Sequence, residues 1–350
     1  MEFRDYQSDL VDKITQAAAD CHRRILAVMP TGSGKTHVFS WIANHASANG
    51  KNVLILVHRR ELLFQTRDKL EKYGVENTAM LRGELYDLSH SVVVASIPTM
   101  HSWVMRRRKE SAPPADLVIV DEAVHLQGAR TWQDLVALYP QAYIVGFTAT
   151  PISKAGKGLG GHFDCLVQGP TIGELTRGGW LVPVKYFCPS IPDLQGIKVQ
   201  AGDYVEKQLE ERMDRPKLVG DVVENWARVC PDRKTLVFAS GIKHSIHLTE
   251  AFNAVGVKAE HVDGKTPAEE RAAIIKRFAE GATRVMSSCG VFIEGFDEPS
   301  ASALIFARPT RSLMLALQIC LDDKTEILSR RGWLQVAKGL TFIRAVKSLQ

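Results

Sequence analysis

Short apolar runs rich in Val, Ile and Leu recur along the first half of the chain, separated by stretches with helical spacing. Residues 25–28, 53–57, 91–95, 117–120 and 143–147 are such runs. They carry no polar alternation, so each predicts a strand buried on both faces, as in a parallel sheet covered by helices. A Gly/Lys-rich stretch at 153–161 breaks the pattern, and Pro183, Pro189 and Pro192 mark extended chain up to about residue 216. The alternation then resumes, with strands predicted at 235–238, 259–262, 284–287 and 303–306. Helices are predicted at 245–255 and at 267–280, the second with proline in its first turn. The fold expected is α/β, with two parallel-sheet domains of similar plan in tandem and no close sequence repeat between them.

Composition narrows this little. The 350 residues suffice for about two cores, and a net charge of +5 permits a polyanionic partner without demanding one. Six scattered cysteines with no C-x-x-C pair signal neither a zinc ribbon nor a disulfide framework. No secretory h-region opens the chain and no apolar run approaches a membrane span, so a cytoplasmic enzyme is expected.

The first apolar run leads directly into Met29-Pro30-Thr31-Gly32-Ser33-Gly34-Lys35-Thr36. A strand, a glycine turn and a helix start leave several backbone N–H groups aimed at one spot, which suits a triphosphate. Lys35 would reach the β/γ-phosphates, and the Thr36 hydroxyl would sit on Mg²⁺. Met29 stands where the strict pattern has glycine, but Gly32 and Gly34 supply the turn. The competing reading is a glycine-rich surface turn. The run 117–120 ends in Asp121-Glu122-Ala123, a carboxylate pair at the edge where ligands bind in such sheets. Asp121 would hold Mg²⁺ and Glu122 would orient and deprotonate an attacking water, the two tasks of phosphoanhydride hydrolysis. An acidic pair by itself would read as a solvated face.

Together these motifs resemble the superfamily 2 helicases, DEAD/DEAH-box proteins with two RecA-like domains, and within them the bacterial and phage DNA-repair type. The segment 30–36 resembles motif I, His58-Arg59-Arg60-Glu61-Leu62 motif Ia, and Ala95-Ser96-Ile97-Pro98-Thr99 motif Ib. Asp121-Glu122-Ala123 resembles motif II and Thr148-Ala149-Thr150-Pro151 motif III. Val237-Phe238-Ala239-Ser240 resembles motif IV, and Glu294-Gly295-Phe296-Asp297-Glu298-Pro299 motif V. The resemblance covers about residues 1–319. It implies ATP and Mg²⁺ as cofactors, with Arg4 and Gln7 near the adenine, Gly295 and Asp297 approaching the nucleotide from the second domain, and a coupling role for Thr148 and Thr150. A plain helix-start role is the alternative for Gln7. Val124 stands where the family often has His, and His125 follows; it either substitutes for that residue or is a surface histidine. DNA is the expected partner, RNA the alternative, bound through its backbone by Arg59, Arg60 and Thr99. The run Arg106-Arg107-Arg108-Lys109 reads as a solvated face, with nucleic-acid contact as its alternative.

From Gln318 the family requires motif VI, Gln-x-x-Gly-Arg-x-x-Arg, whose arginines reach the γ-phosphate. Here Cys320-Leu321-Asp322-Asp323-Lys324-Thr325-Glu326-Ile327-Leu328, then Gly332-Trp333-Leu334, resembles the first block of an intein instead. Its spacing reads as a hairpin with strands at 325–328 and 333–336. The resemblance makes Cys320 a splicing nucleophile attacking the Ile319 carbonyl; a divergent C-terminal helix is the alternative. No His or Asn follows Cys320, so this chain would not splice by itself: it reads either as a truncated precursor or as one whose complementary intein/extein fragment lies on another polypeptide. The domains expected are 1–152 (ATP-binding), 153–216 (connecting), 217–319 (second RecA-like, without motif VI) and 320–350 (intein-like). The function expected is an ATP-dependent DNA helicase or translocase, impaired as written. A splicing precursor fragment and a DNA-stimulated ATPase that separates no strands are the alternatives.

Overall fold

In the computed structural model, the residues described are 3–58, 60–75, 78–81, 89–107, 111–127, 129–152, 158–181, 184–187, 192–200, 202–291, 298, 300–312 and 342–346. They form two compact units, Met1–Leu175 and Thr176–Gln350.

In the first unit the chain runs through α1 (Asp5–Ala19), β1 (Arg24–Val28), α2 (Lys35–Ala48), β2 (Val53–Val57), α3 (Arg60–Lys72), β3 (Thr78–Leu81) and β4 (Val92–Ser96). It continues through α4 (Ile97–Met100), a π-helical segment (His101–Arg107), β5 (Leu117–Val120), a 3₁₀ turn (Ala123–Leu126), α5 (Arg130–Val136), β6 (Tyr143–Thr148), β7 (Cys165–Gln168) and α6 (Ile172–Arg177). Seven strands pair in the order β3-β4-β2-β5-β6-β1-β7, every pair parallel. Successive side chains of a strand point to opposite faces, so the apolar runs feed two cores at once. Ile25, Ala27, Ile55, Val57, Ile119 and Phe147 pack with α1 and α2 residues such as Leu10, Ile14, Val38 and Phe39. Leu26, Val28, Leu54, Leu56, Val118, Val120 and Ile144 pack with Met100, Trp132 and Leu135 on the other side.

This strand order matters for the site. β5, β6 and β1 are neighbours, so the segments after them emerge side by side at the carboxyl edge. Backbone bonds lock that edge: Met29 N–H donates to the Thr148 carbonyl at 3.0 Å, and Asp121 N–H to the Leu56 carbonyl at 3.0 Å.

The second unit contains β8 (Val184–Phe187), the two-residue strands β9 (Val199–Gln200) and β10 (Asp203–Tyr204), α7 (Glu206–Met213), α8 (Pro216–Val229), β11 (Thr235–Ala239) and α9 (Ile242–Ala254). After these come β12 (Ala259–Val262), α10 (Ala268–Glu280), β13 (Val285–Ser288), β14 (Ala303–Ala307) and β15 (Phe342–Val346). Its sheet has the order β12-β13-β11-β14-β15-β8, with the first four strands parallel and the last two pairings antiparallel. Helices again cover both faces: Val219, Val223, Trp226, Leu248 and Phe252 on one side, Ile274 and Phe278 on the other. Both units are RecA-like α/β domains. The segment 153–216 is divided between them, since β7 joins the first sheet and β8 the second. The hairpin expected at 325–328 and 333–336, and Cys320 with it, lies outside the described residues. Among the described residues, no helix is long and apolar enough to cross a membrane.

Candidate active site

The phosphate loop has the backbone its sequence requires. Gly32 and Gly34 both adopt left-handed conformations, φ 75° and 88°, which glycine reaches without a Cβ penalty. Gly34 is the N-cap of α2, so Lys35 and Thr36 occupy the first helical turn, where unpaired N–H groups and the helix dipole favour an anion. Ser33 is fully buried; its hydroxyl donates to the Pro30 carbonyl, and its N–H donates to the same oxygen at 3.3 Å. Lys35 is only 9% exposed.

Gln7 braces this loop from α1. Its Nε2 donates to the Ser33 carbonyl at 3.0 Å and its Oε1 accepts from Arg4 N–H at 3.1 Å. Tyr6 Oη donates to the same Ser33 oxygen at 2.9 Å, and Arg4 Nη1 donates to Tyr6 Oη at 2.9 Å. A Cβ at position 34 would collide with Gln7 Nε2, a second reason for glycine there. An amide carries two N–H donors and two acceptor lone pairs, and these bonds use one of each.

At the end of β5, on the far side of β6 from the loop, Asp121 Oδ1 accepts from Glu122 N–H at 3.0 Å. Glu122 itself has φ 51°, a left-handed conformation costing a non-glycine residue about 1–2 kcal/mol. It caps the 3₁₀ turn that turns the chain away from the sheet. The Asp121 carboxyl is pushed above the ordinary carboxylate range by burial, although its surface is part-accessible. Lys35, the Glu122 N–H and Lys69 act in the opposite direction, which places the loop lysine within electrostatic reach of the carboxylate.

Behind the carboxylates, Gly146 of β6 permits a close approach that the sequence alone did not disclose. A Cβ there would overlap the Phe163 ring and stand 2.8 Å from the Cβ of Ala123. Glycine inside a strand is the signal for such an approach. Thr148 and Thr150, both buried, bond to each other: Thr148 Oγ1 donates to the Thr150 carbonyl at 3.0 Å and accepts from Thr150 N–H at 3.1 Å. His125 is no lone surface histidine. Its ring stacks on His58 at 4.1 Å and 8°, with Trp132 about 6 Å from both (6.0 Å and 5.9 Å between centroids). His58 directly follows β2, so this stack ties the Asp121–Glu122 turn to the end of that strand.

The structure thus brings Pro30, Thr31, Gly32, Ser33, Gly34, Lys35, Thr36, Asp121, Glu122, Thr148 and Thr150 to one sheet edge, with Arg4 and Gln7 behind the loop. Thr99 lies in α4, where its hydroxyl accepts from Ser96 Oγ at 2.8 Å. Arg60 opens α3; Arg59, Gly295, Asp297 and Cys320 lie outside the described residues. Arg106 is exposed at the end of the π-helical segment.

Tandem RecA-like domains, the first with a phosphate loop and an acidic pair at its sheet edge, define the class. Residues 1–153 match the type III restriction enzyme res subunit family, and residues 219–321 the helicase conserved C-terminal domain. A 51.5 kDa protein of a Lactococcus phage (isolate 7-9) is 31% identical over 290 residues, covering 83% of this chain and 60% of that protein. A Saccharomyces cerevisiae protein, IRC3, named as a candidate ATP-dependent helicase, is 28% identical over 336 residues, covering 90% of this chain and 48% of its own. The structure of LlaBIII, an ATP-dependent type ISP restriction-modification enzyme bound to DNA, superimposes with a TM-score of 0.62 at 17% identity over 93% of this chain and 27% of that one. By the two domain matches the chain carries a res-subunit domain and a helicase conserved C-terminal domain, and it spans 60% and 48% of those two relatives.

Proposed function

We propose that this chain is the motor core of an ATP-dependent DNA helicase or translocase. The observation that carries the reading is the convergence of the phosphate loop after β1 and the Asp121–Glu122 pair after β5, the two strands that flank β6, with Lys35 acting on Asp121 across the gap. On this reading the loop N–H groups and Lys35 bind the ATP phosphates, and Glu122 orients the attacking water and takes its proton. Thr36 and Asp121 would hold Mg²⁺. Their oxygen donors suit a hard cation that takes only one or two carboxylates and fills its other positions with phosphates and water. A carboxylate whose charged form is disfavoured by burial also fits a site completed by a cation. Mg²⁺, when bound, would neutralise charge developing on the phosphates.

Arg4 and Gln7 read the adenine with the remaining amide donor and acceptor, and Gly295 and Asp297 meet the nucleotide from the second domain. Thr148 and Thr150 link hydrolysis to movement. Arg59, Arg60 and Thr99 grip the nucleic-acid backbone, so binding should weaken steeply with salt. DNA is the proposed polymer, with RNA as the alternative. Domain limits of 1–152, 217–319 and 320–350 are part of the proposal. The test is equilibrium titration with a fluorescent ATP analogue and Mg²⁺. Wild type should bind and Lys35→Ala should bind at least about tenfold more weakly, since a charge-assisted contact is lost. Equal binding by both would refute the assignment.

A second reading concerns the tail. Motif VI is replaced by Cys320-Leu321-Asp322, and the helicase C-terminal match stops at residue 321. This second reading rests on the sequence of that segment alone: an intein start, with Cys320 as nucleophile, a complementary intein/extein fragment as partner, and hydrolysis impaired for want of the motif VI arginines. Hydroxylamine cleavage at Ile319–Cys320 after adding a candidate fragment tests it; an intact bond would count against it.

A further inference from the structure

Arg308 follows the last residue of β14, at the carboxyl edge of the parallel part of the second sheet, where open α/β sheets bind ligands. Only 9% of the residue is exposed, and its guanidinium is half used. Nη2 donates to Glu206 Oε1 at 2.9 Å, while Nε, which points along the same edge of the guanidinium, is buried with no hydrogen-bond partner. An arginine's Nε/Nη2 edge is a two-pronged donor matched to a carboxylate or phosphate. Glu206 fills one prong and leaves the other empty.

The pair is also lopsided. The Glu206 side chain is 74% exposed against 11% for Arg308, so the carboxylate approaches from solvent. Pairs with so exposed a partner are held weakly, whereas a buried N–H without an acceptor is costly. An oxyanion engaging both prongs would relieve that cost, and only an exposed, flexible side chain needs to move. The other acids of this region are committed. Asp203 accepts from Thr310 Oγ1 at 2.6 Å and from Arg311 N–H at 2.7 Å, and Glu210 accepts from Lys243 N–H at the start of α9 at 2.8 Å. They fasten the backbone around Arg308 and leave Glu206 as its described acid partner.

We infer that Arg308 is a phosphate-oxygen anchor of the second unit, with Glu206 as a displaceable stand-in that covers it until ligand arrives. The ligand is a phosphate group, supplied either by a nucleotide or by a nucleic-acid backbone; naming these two sources rests on the motor reading, whereas the anchor itself does not. The test uses Glu206→Gln, Arg308→Lys and Arg308→Ala in the full chain, each checked for an unchanged melting temperature without ligand. Binding of a labelled oligo-dT and of a fluorescent ATP analogue is measured separately. Glu206→Gln should tighten one of them about threefold or more. Arg308→Lys, which keeps the charge but loses the fork, should weaken the same ligand about tenfold, nearly as much as Arg308→Ala. Whichever ligand responds identifies the source. Inorganic phosphate titrated against thermal unfolding is the probe independent of motor function: it should raise the melting temperature of wild type more than that of Arg308→Lys. Equal phosphate response, with neither ligand moved by Glu206→Gln or Arg308→Lys, would overturn the inference. A chain that binds neither nucleotide nor DNA but keeps the phosphate difference would refute the motor reading and leave the anchor standing.

Discussion

Gly146→Ala adds one methyl group where the first domain has no room for it. The new Cβ would overlap Phe163 Cζ, stand 2.7 Å from Phe163 Cε1 and 2.8 Å from Ala123 Cβ. Phe163 is 7% exposed and Ala123 fully buried in the same core cluster, so neither neighbour can swing into solvent. Overpacking of this kind costs about 1–3 kcal/mol, out of roughly 5–15 kcal/mol for a typical domain. The variant should therefore fold with a lowered urea midpoint and an unchanged slope. Ala123 directly follows Glu122, so relief by moving Ala123 displaces the carboxylate, and ATP hydrolysis should fall further than ATP binding. A double-mutant cycle with Phe163→Ala isolates the clash. That change alone costs about 3–5 kcal/mol, but in its background the added methyl should cost about 1 kcal/mol less, a coupling of the size expected for residues in contact. Stability within about 0.5 kcal/mol of wild type, the ordinary range of surface changes, together with full hydrolysis would refute the reasoning.

Three further outcomes follow from other parts of the structure. Glu122→Gln should bind ATP normally and lose about 10²–10⁴ in kcat, in single-turnover assays on a chain carrying motif VI; a loss confined to KM would move the base elsewhere. Gln7→Ala removes the amide bonding Ser33 O and Arg4 N–H, and should lower stability by about 1–2 kcal/mol while raising KM for ATP, read by urea titration and steady-state kinetics. His244 in the second domain is fully buried, and burial pulls its imidazole from about 6.5 down to about 4, with Asp214 opposing and His247 reinforcing. The folded state thus holds it neutral: its contribution is complete above about pH 6.5 and is lost as pH falls toward 4. The gap is worth about 3 kcal/mol. His244→Asn should flatten that part of the pH–stability curve, and an unchanged curve would reassign the acid sensitivity.

Much of the architecture was legible because it is local. The runs at 53–57 and 117–120 are buried on both faces with no alternation to hide them, and they are β2 and β5 to the residue. The strands that escaped are short or peripheral. β3 is four residues of mixed burial, and β7 is an edge strand whose Leu166 is 54% exposed. The phosphate loop and Asp121–Glu122 announce themselves by position after a strand. What supports them does not, because it is made of distant pairs: Gln7 with Ser33, Gly146 with Phe163, His58 with His125. Neither propensity nor periodicity reports which side chains meet across a sheet, and only the glycine inside β6 hinted that something approached.

The central claim is that the two-domain core is an ATP-driven motor interrupted before its motif VI arginines. ATP hydrolysis with and without single-stranded DNA tests it most directly, on this chain beside one continued from Ile319 as Cys-Gly-Arg-x-x-Arg. The account predicts DNA-stimulated turnover in the continued chain and at least about 10³-fold less in this one, the usual worth of an arginine finger. Equal, stimulated turnover in both would contradict the interruption, and no hydrolysis in either would contradict the motor.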